Sequence, residues 1–155
     1  MSTCPESASL VEAFREEKPP LQLHQAIAEA SRCLLCHDAP CIQGCPAGVD
    51  VPGFIRRLKT KNFTGAARTI RETNVLGGIC ARVCPAEEQC KERCSSSKLQ
   101  RPIEIAALQR FVCDTEAQKG IKLAPKWADT GRRVAVIGAG PAGLAAAYEL
   151  NHLGH

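Results

Sequence analysis

Residues 33–46 read C-L-L-C-H-D-A-P-C-I-Q-G-C-P, and a second dense group follows in residues 80–94, C-A-R-V-C-P-A-E-E-Q-C-K-E-R-C. Four cysteines within thirteen residues, closing on a proline, form an iron–sulfur pattern. A cubane cluster needs soft thiolates converging from a compact turn, and in two-cluster ferredoxins the cysteine before the proline reaches across to the other cluster. The run here, C-x2-C-x4-C-x3-C-P, has a second gap longer than the roughly two residues of the bacterial ferredoxin motif. Eight of the ten cysteines fall in the two groups, and Cys4 and Cys113 stand apart, so the count matches two four-ligand sites. Two other chemistries use dense cysteines. A disulfide scaffold belongs to secreted domains, yet M-S-T-C-P-E-S-A-S-L at the N-terminus has no basic start and no apolar signal core. Structural zinc usually takes two C-x2-4-C knuckles with a longer spacer between them, a poorer match to this run.

Composition narrows the class. At 155 residues, 45% hydrophobic and 23% charged, the chain can bury one ordinary core. No segment approaches the roughly 18 apolar residues of a membrane span, so a soluble, cytoplasmic protein without a membrane partner is expected. Nucleic acid is not an expected partner either, since aromatic residues make up only 4% of the chain and leave little for base stacking.

Hydrophobic periodicity predicts helices almost throughout. Ser9 to Glu17 forms a short helix stopped by Pro19-Pro20. Leu23, Ile27 and Ala30 recur at helical spacing and lead into Cys33. Helices are also expected from Val51, over Phe63 to Glu72, and from about Ile103, the last with Ile105, Leu108 and Val112 as its buried stripe and Gln109 and Cys113 one turn apart beside it. Gly77-Gly78 supplies tight backbone where the second cysteine group begins. Good helix formers around Cys90 and Cys94 predict that these two share one helix face. His37 lies between candidate ligands but reads as a solvent-facing loop residue, and Cys113 as a small buried hydrophobe.

The pattern changes after A-P-K-W-A-D-T-G. Val134 to Ile137 is a short β-branched run, followed by G-A-G-P-A-G at 138–143 and then L-A-A-A-Y-E-L, which reads as strand, glycine turn and helix. In a dinucleotide-binding turn the first glycine, Gly138, permits the tight turn, Gly140 lets backbone amides approach a pyrophosphate, and Gly143 allows close packing of helix on strand. Pro141 and Ala142 complete this candidate cofactor-binding set. The acidic residue that grips the ribose belongs roughly 20 residues further on, beyond His155. The chain is thus expected to be a truncated piece of a larger protein. The fold class is mainly α: a helical two-cluster ferredoxin-like domain followed by the first strand and helix of a truncated Rossmann, FAD-binding domain. The boundaries are an N-terminal extension over 1–22, the 4Fe–4S domain over 23–120, a linker over 121–131 and the start of the Rossmann domain over 132–155.

R-C-L-L-C-H-D-A-P-C at 32–41, N-F-T-G-A-A-R-T-I-R-E at 62–72, L-G-G-I-C-A-R-V-C-P at 76–85, L-Q-R-F-V at 108–112 and V-A-V-I-G-A-G-P-A-G at 134–143 together carry a resemblance. The chain resembles the iron–sulfur flavoproteins that include the dihydropyrimidine dehydrogenases and the glutamate synthase small subunit, and is most similar to the bacterial NAD-dependent dihydropyrimidine dehydrogenase branch. The resemblance implies two 4Fe–4S clusters in the helical domain, FAD in the next, and an NAD(P)H site in a C-terminal part absent here. It implies electrons passing from FAD through the clusters to an FMN-containing, pyrimidine-reducing partner subunit of the PreA type, in a hetero-oligomer that reduces uracil or thymine. It implies Cys33, Cys36, Cys41 and Cys94 as ligands of one cluster, and Cys45, Cys84, Cys90 and Gln109 as ligands of the other. The thiol count by itself favours Cys80 over Gln109. With a neutral amide in place of one thiolate, metallation would bring the formal charge of +4 to about +1. No catalytic residue is expected in this chain, which taken alone would not be a competent enzyme. The alternatives are an electron-input protein like the glutamate synthase small subunit, and a stand-alone, non-catalytic iron–sulfur or zinc module.

Overall fold

Short polar caps and prolines punctuate the chain into helices, which the computed structural model describes for residues 12, 14, 16–121 and 127–155. Helix α1, Leu23–Ser31, opens where the Gln25 side chain accepts the Gln22 N–H at 2.8 Å. The one-turn α2, Pro40–Gln43, separates Cys41 from Cys45. Asp50 caps α3, Val51–Lys59, by accepting the Gly53 N–H at 2.9 Å, and Asn62 caps α4, Phe63–Arg71, by accepting the Gly65 N–H at 2.8 Å. These caps satisfy amides that a helix start leaves unpaired. Helix α5 is Gly77–Val83, two 3₁₀ turns follow at Ala86–Glu88 and Ser95–Lys98, and α6 is Ile105–Gln118.

The core forms where α3 packs on α4, α5 on α6, and both α4 and α1 against α6. Phe54, Ile55 and Leu58 of α3, Ile70 of α4, and Leu108 and Val112 of α6 are sealed from solvent. Each such burial stabilises by about 1.5–3 kcal/mol. The stripe expected on α6 is therefore the stripe observed. Cys41, Cys94 and Cys113 are buried within this same core. At Gly77 an added Cβ would stand 2.5 Å from Ile70 Cγ2, so the glycine allows α5 its approach to α4.

The helix over Ser9 to Glu17 lies largely outside the described residues, as does Cys4. Cys90 and Cys94 do not share a helix face: Gln89 to Arg93 is a run of turns, with Gln89 at φ −127, ψ −110. Its amides bond at mixed spacing, Lys91 N–H to Ala86 O at 2.9 Å and Cys94 N–H to Lys91 O at 3.1 Å, so no regular helix face forms. Finally, Val134 to Ile137 is not a strand, and no strand occurs among the described residues. A strand exists through pairing, and this run has no partner; Val134 and Ile137 are exposed. The helix after the glycines does form, as α7, Pro141–His152, with no buried residue. Trp127 and Thr130 donate backbone N–H groups to His152 O and Gly154 O, both at 2.9 Å, tying the start of this segment to its end.

Candidate metal centre

The first thiol group is assembled from distant parts of the chain. Cys33 follows α1, Cys36 closes the loop, Cys41 lies on α2, and Cys94 arrives from beyond α5; together they line one cavity with Val51, Ile55, Ile103 and Ile105. Leu35, between Cys33 and Cys36, sits at φ 53, a left-handed conformation uncommon for a side-chain-bearing residue. Its backbone N–H bonds to Cys33, opposing the rise in that thiol's pKa caused chiefly by burial and, after that backbone bond, by the neighbouring Cys94 and Cys36. Burial, then Cys94 and Cys33, push Cys41 up to about 12. The Ile103 N–H lies 3.5 Å from Cys94 Sγ.

The second group joins Cys45, Cys84, Cys90 and Cys80. Cys90 is pushed up to about 11, first by burial and then by Cys45 and Cys84; Cys84 is raised by burial, then by Cys80 and Cys45. All four are half-buried. Thiols crowded in apolar surroundings hold their protons, and iron would reverse that balance, because a bound cation stabilises the thiolates that repel one another without it. The nine described cysteines are all free thiols, so the donors are chemically suited to soft metal. Among the described residues, no three His, Cys, Asp or Glu side chains converge on a point that a single ion would occupy.

The two groups touch through Gly44. A Cβ there would meet Arg93 Cδ and Gln89 O, each at 2.9 Å, so glycine lets the first cysteine loop press on the Gln89–Arg93 turn. Gln109 is buried on α6 and its Nε2 donates to Gly77 O at 2.7 Å. Cys113 is a buried thiol raised to about 11, first by burial, and belongs to neither group. His37 is exposed.

Sequence reasoning missed two residues. Gln89 Oε1 accepts from Cys84 Sγ at 2.9 Å, a contact that depends on the irregular turn. Glu29, buried at the end of α1, accepts from Arg32 Nη1 and Arg101 Nη2, both at 2.7 Å, and from the Glu104 N–H at 3.0 Å. Burial alone would raise its pKa, but the Glu104 amide and the two arginines outweigh this and hold the carboxyl low. The i, i+3 spacing of Glu29 and Arg32 was the available signal. Arg32 is thus committed to Glu29, and Arg82 to Asp114 at 2.7 and 2.8 Å, rather than to sulfur.

In the C-terminal segment Gly138 has φ +107, a Cβ on Gly143 would lie 2.1 Å from Gly138 O, and Gly140 meets nothing within 4 Å. Pro141 and Ala142 open α7. The turn requires glycine at 138 and 143, whereas Gly140, at φ −72 with open space around it, leaves the approach to the helix start clear. No helix among the described residues is long and apolar enough to cross a membrane.

Comparison with known proteins bears on this arrangement. The family model described as dihydropyrimidine dehydrogenase domain II, 4Fe-4S cluster, matches residues 10–121. The PreT subunit of NAD-dependent dihydropyrimidine dehydrogenase from Salmonella typhimurium is 55% identical over 130 residues, which cover 84% of this chain and 32% of the relative. The PreT subunit from Escherichia coli K12 is 54% identical over the same shares. The beta subunit of NADP(+)-dependent formate dehydrogenase from Moorella thermoacetica is 33% identical over 139 residues, covering 76% of this chain and 19% of that protein. The chain spans about a third of the length of its PreT relatives.

Proposed function

The chain belongs to the dihydropyrimidine dehydrogenase domain II, 4Fe-4S cluster family, and from that premise we propose that it is the electron-transferring iron–sulfur portion of an NAD(P)H-dependent flavoprotein oxidoreductase. The observation that supports this reading is the gathering of eight thiols into two neighbouring groups, each joining cysteines of the 33–45 loop to cysteines of the 80–94 stretch. Cys33, Cys36, Cys41 and Cys94 would hold one 4Fe–4S cluster; Cys45, Cys84, Cys90 and Gln109 would hold the other. The bond from Gln109 Nε2 to Gly77 O supports the last assignment, since it fixes the amide on α6 against the helix that leads into Cys84. When bound, the clusters would supply one-electron relay between a flavin and a partner protein. Burial around Cys41 and Cys94 would exclude water from the first site, and Gly44 would keep the two sites adjacent. Gly138, Gly140, Pro141, Ala142 and Gly143 would present backbone to the pyrophosphate of FAD at the start of α7. The partner would be an FMN-containing, PreA-like subunit that reduces uracil or thymine, since the PreT relatives are subunits of NAD-dependent dihydropyrimidine dehydrogenase.

The test is iron, acid-labile sulfide and zinc per polypeptide after preparation without oxygen, with visible absorption on the same sample. The expected result is about eight iron and eight sulfide. Stoichiometric zinc with no labile sulfide would replace this reading with a structural zinc module.

A further inference from the structure

We propose that Cys80 is a reserve ligand of the second thiol group, able to take the fourth position when the amide of Gln109 is removed from it. This rests on the reading that Gln109 holds that position in the native chain. Cys80 lies on α5 one turn before Cys84, so both side chains project from the same face of the chain. Gln109 is anchored to the same helix: its Nε2 bonds Gly77 O at 2.7 Å, and Gly77 precedes Cys80 by less than one turn. The two candidate donors therefore come from the packed α5–α6 pair and approach from one side.

The Cys80 thiol is uncommitted. Its thiol meets Asn74 Oδ1 at 3.8 Å, long even for sulfur, and the side chain is half-buried, so this contact holds it only weakly. A thiolate is a softer and stronger donor to iron than a neutral amide oxygen. Gln109 has the advantage of being held in place already. In the exchange one iron–oxygen bond to the Gln109 amide breaks and one iron–sulfur bond to Cys80 forms. The thiol proton passes to water, the ligand shell gains one negative charge, and the electron count of the cluster is unchanged.

The experiment compares four forms of the cluster-loaded chain prepared without oxygen: unaltered, Cys80→Ala, Gln109→Ala and the double variant. Iron and sulfide counts, low-temperature electron paramagnetic resonance of the reduced protein, and the midpoint potential are read on each. Gln109→Ala should keep about eight iron with altered resonance and a more negative second midpoint, while the double variant should fall to about half that count or to a three-iron centre. Cys80→Ala should match the unaltered chain. If Gln109→Ala loses as much iron as the double variant while Cys80→Ala loses none, Gln109 is the ligand and the reserve role is wrong. If Cys80→Ala alone loses the cluster, or the double variant keeps it unchanged, the assignment of Gln109 falls first. Gln109→Met, close to glutamine in volume, runs in parallel with far-UV circular dichroism to separate loss of fold from loss of a ligand.

Discussion

In the first group Cys41 and Cys94 are buried, walled by Val51, Ile55, Ile103 and Ile105, and only Cys33 and Cys36 are half-buried, whereas Cys45, Cys80, Cys84 and Cys90 of the second are all half-buried, with the amides of Gln89 and Asn74 at hand. A cleft of about 400 Å3, whose lining mixes Lys18, Arg82, Lys91 and Arg110 with Glu16, Glu17, Glu87 and Glu104, reaches Cys84 and opens it to solvent. Similar cysteine spacing has thus been given two different media. In the first, low polarity opposes added negative charge, and the sulfur partners are backbone amides. In the second, side-chain amides and nearby water favour it. Loaded with clusters, the second site should take up an electron more readily than the first.

The largest difference expected between the sites is structural. Cys41→Ser and Cys84→Ser should each remove about half of the iron, but only Cys41→Ser should also lower the stability clearly, by about 1–3 kcal/mol in denaturant unfolding, because it leaves a hydroxyl in the core. Equal destabilisation by both would erase the distinction between a core site and a rim site.

Next in size is the support around the first group. Glu29 ties the end of α1, which leads into Cys33, to the 101–104 segment whose Ile103 N–H approaches Cys94. Glu29→Gln should cost about 2 kcal/mol in denaturant unfolding and loosen the first site rather than the second. Since the Glu29 pKa is held below its ordinary value of 4.5, the stability it contributes is fully present above that value. It is lost as pH falls through the lowered one. The unaltered chain should therefore show an acid-dependent loss that Glu29→Gln lacks, and coincident stability–pH curves would count against a stabilising role for the ionised Glu29.

The smallest effect probes the second site. Gln89 accepts from the Cys84 thiol, and after that proton is lost the rotated amide can donate to sulfur instead. Gln89→Leu should shift the second midpoint to more negative potential and leave the first alone, as read by potentiometric titration followed by electron paramagnetic resonance. Equal shifts at both sites would remove the claim that side-chain amides belong to one medium only.

Much of the architecture is legible in the residues. Ile105, Leu108 and Val112 announce the α6 stripe, and cysteine spacing separates eight clustered thiols from Cys113. What escaped was non-local. Around Cys90 and Cys94 good helix formers are overridden by contact with the loop at Gly44, and a propensity scale carries no record of that neighbour. Val134 to Ile137 has strand composition, but pairing is a property of two segments. Glu29 and Gln89 matter through partners brought close only by folding.

Along the chain the proposed donors alternate: Cys33, Cys36 and Cys41 come first, then Cys45, Cys84 and Cys90, then Cys94, and Gln109 last. The site opened earliest during synthesis is thus also the first to receive its complete donor set. A ribosome must deliver α6 as far as Gln109 before the rim-exposed site can close, so the order of translation favours filling the buried site ahead of it.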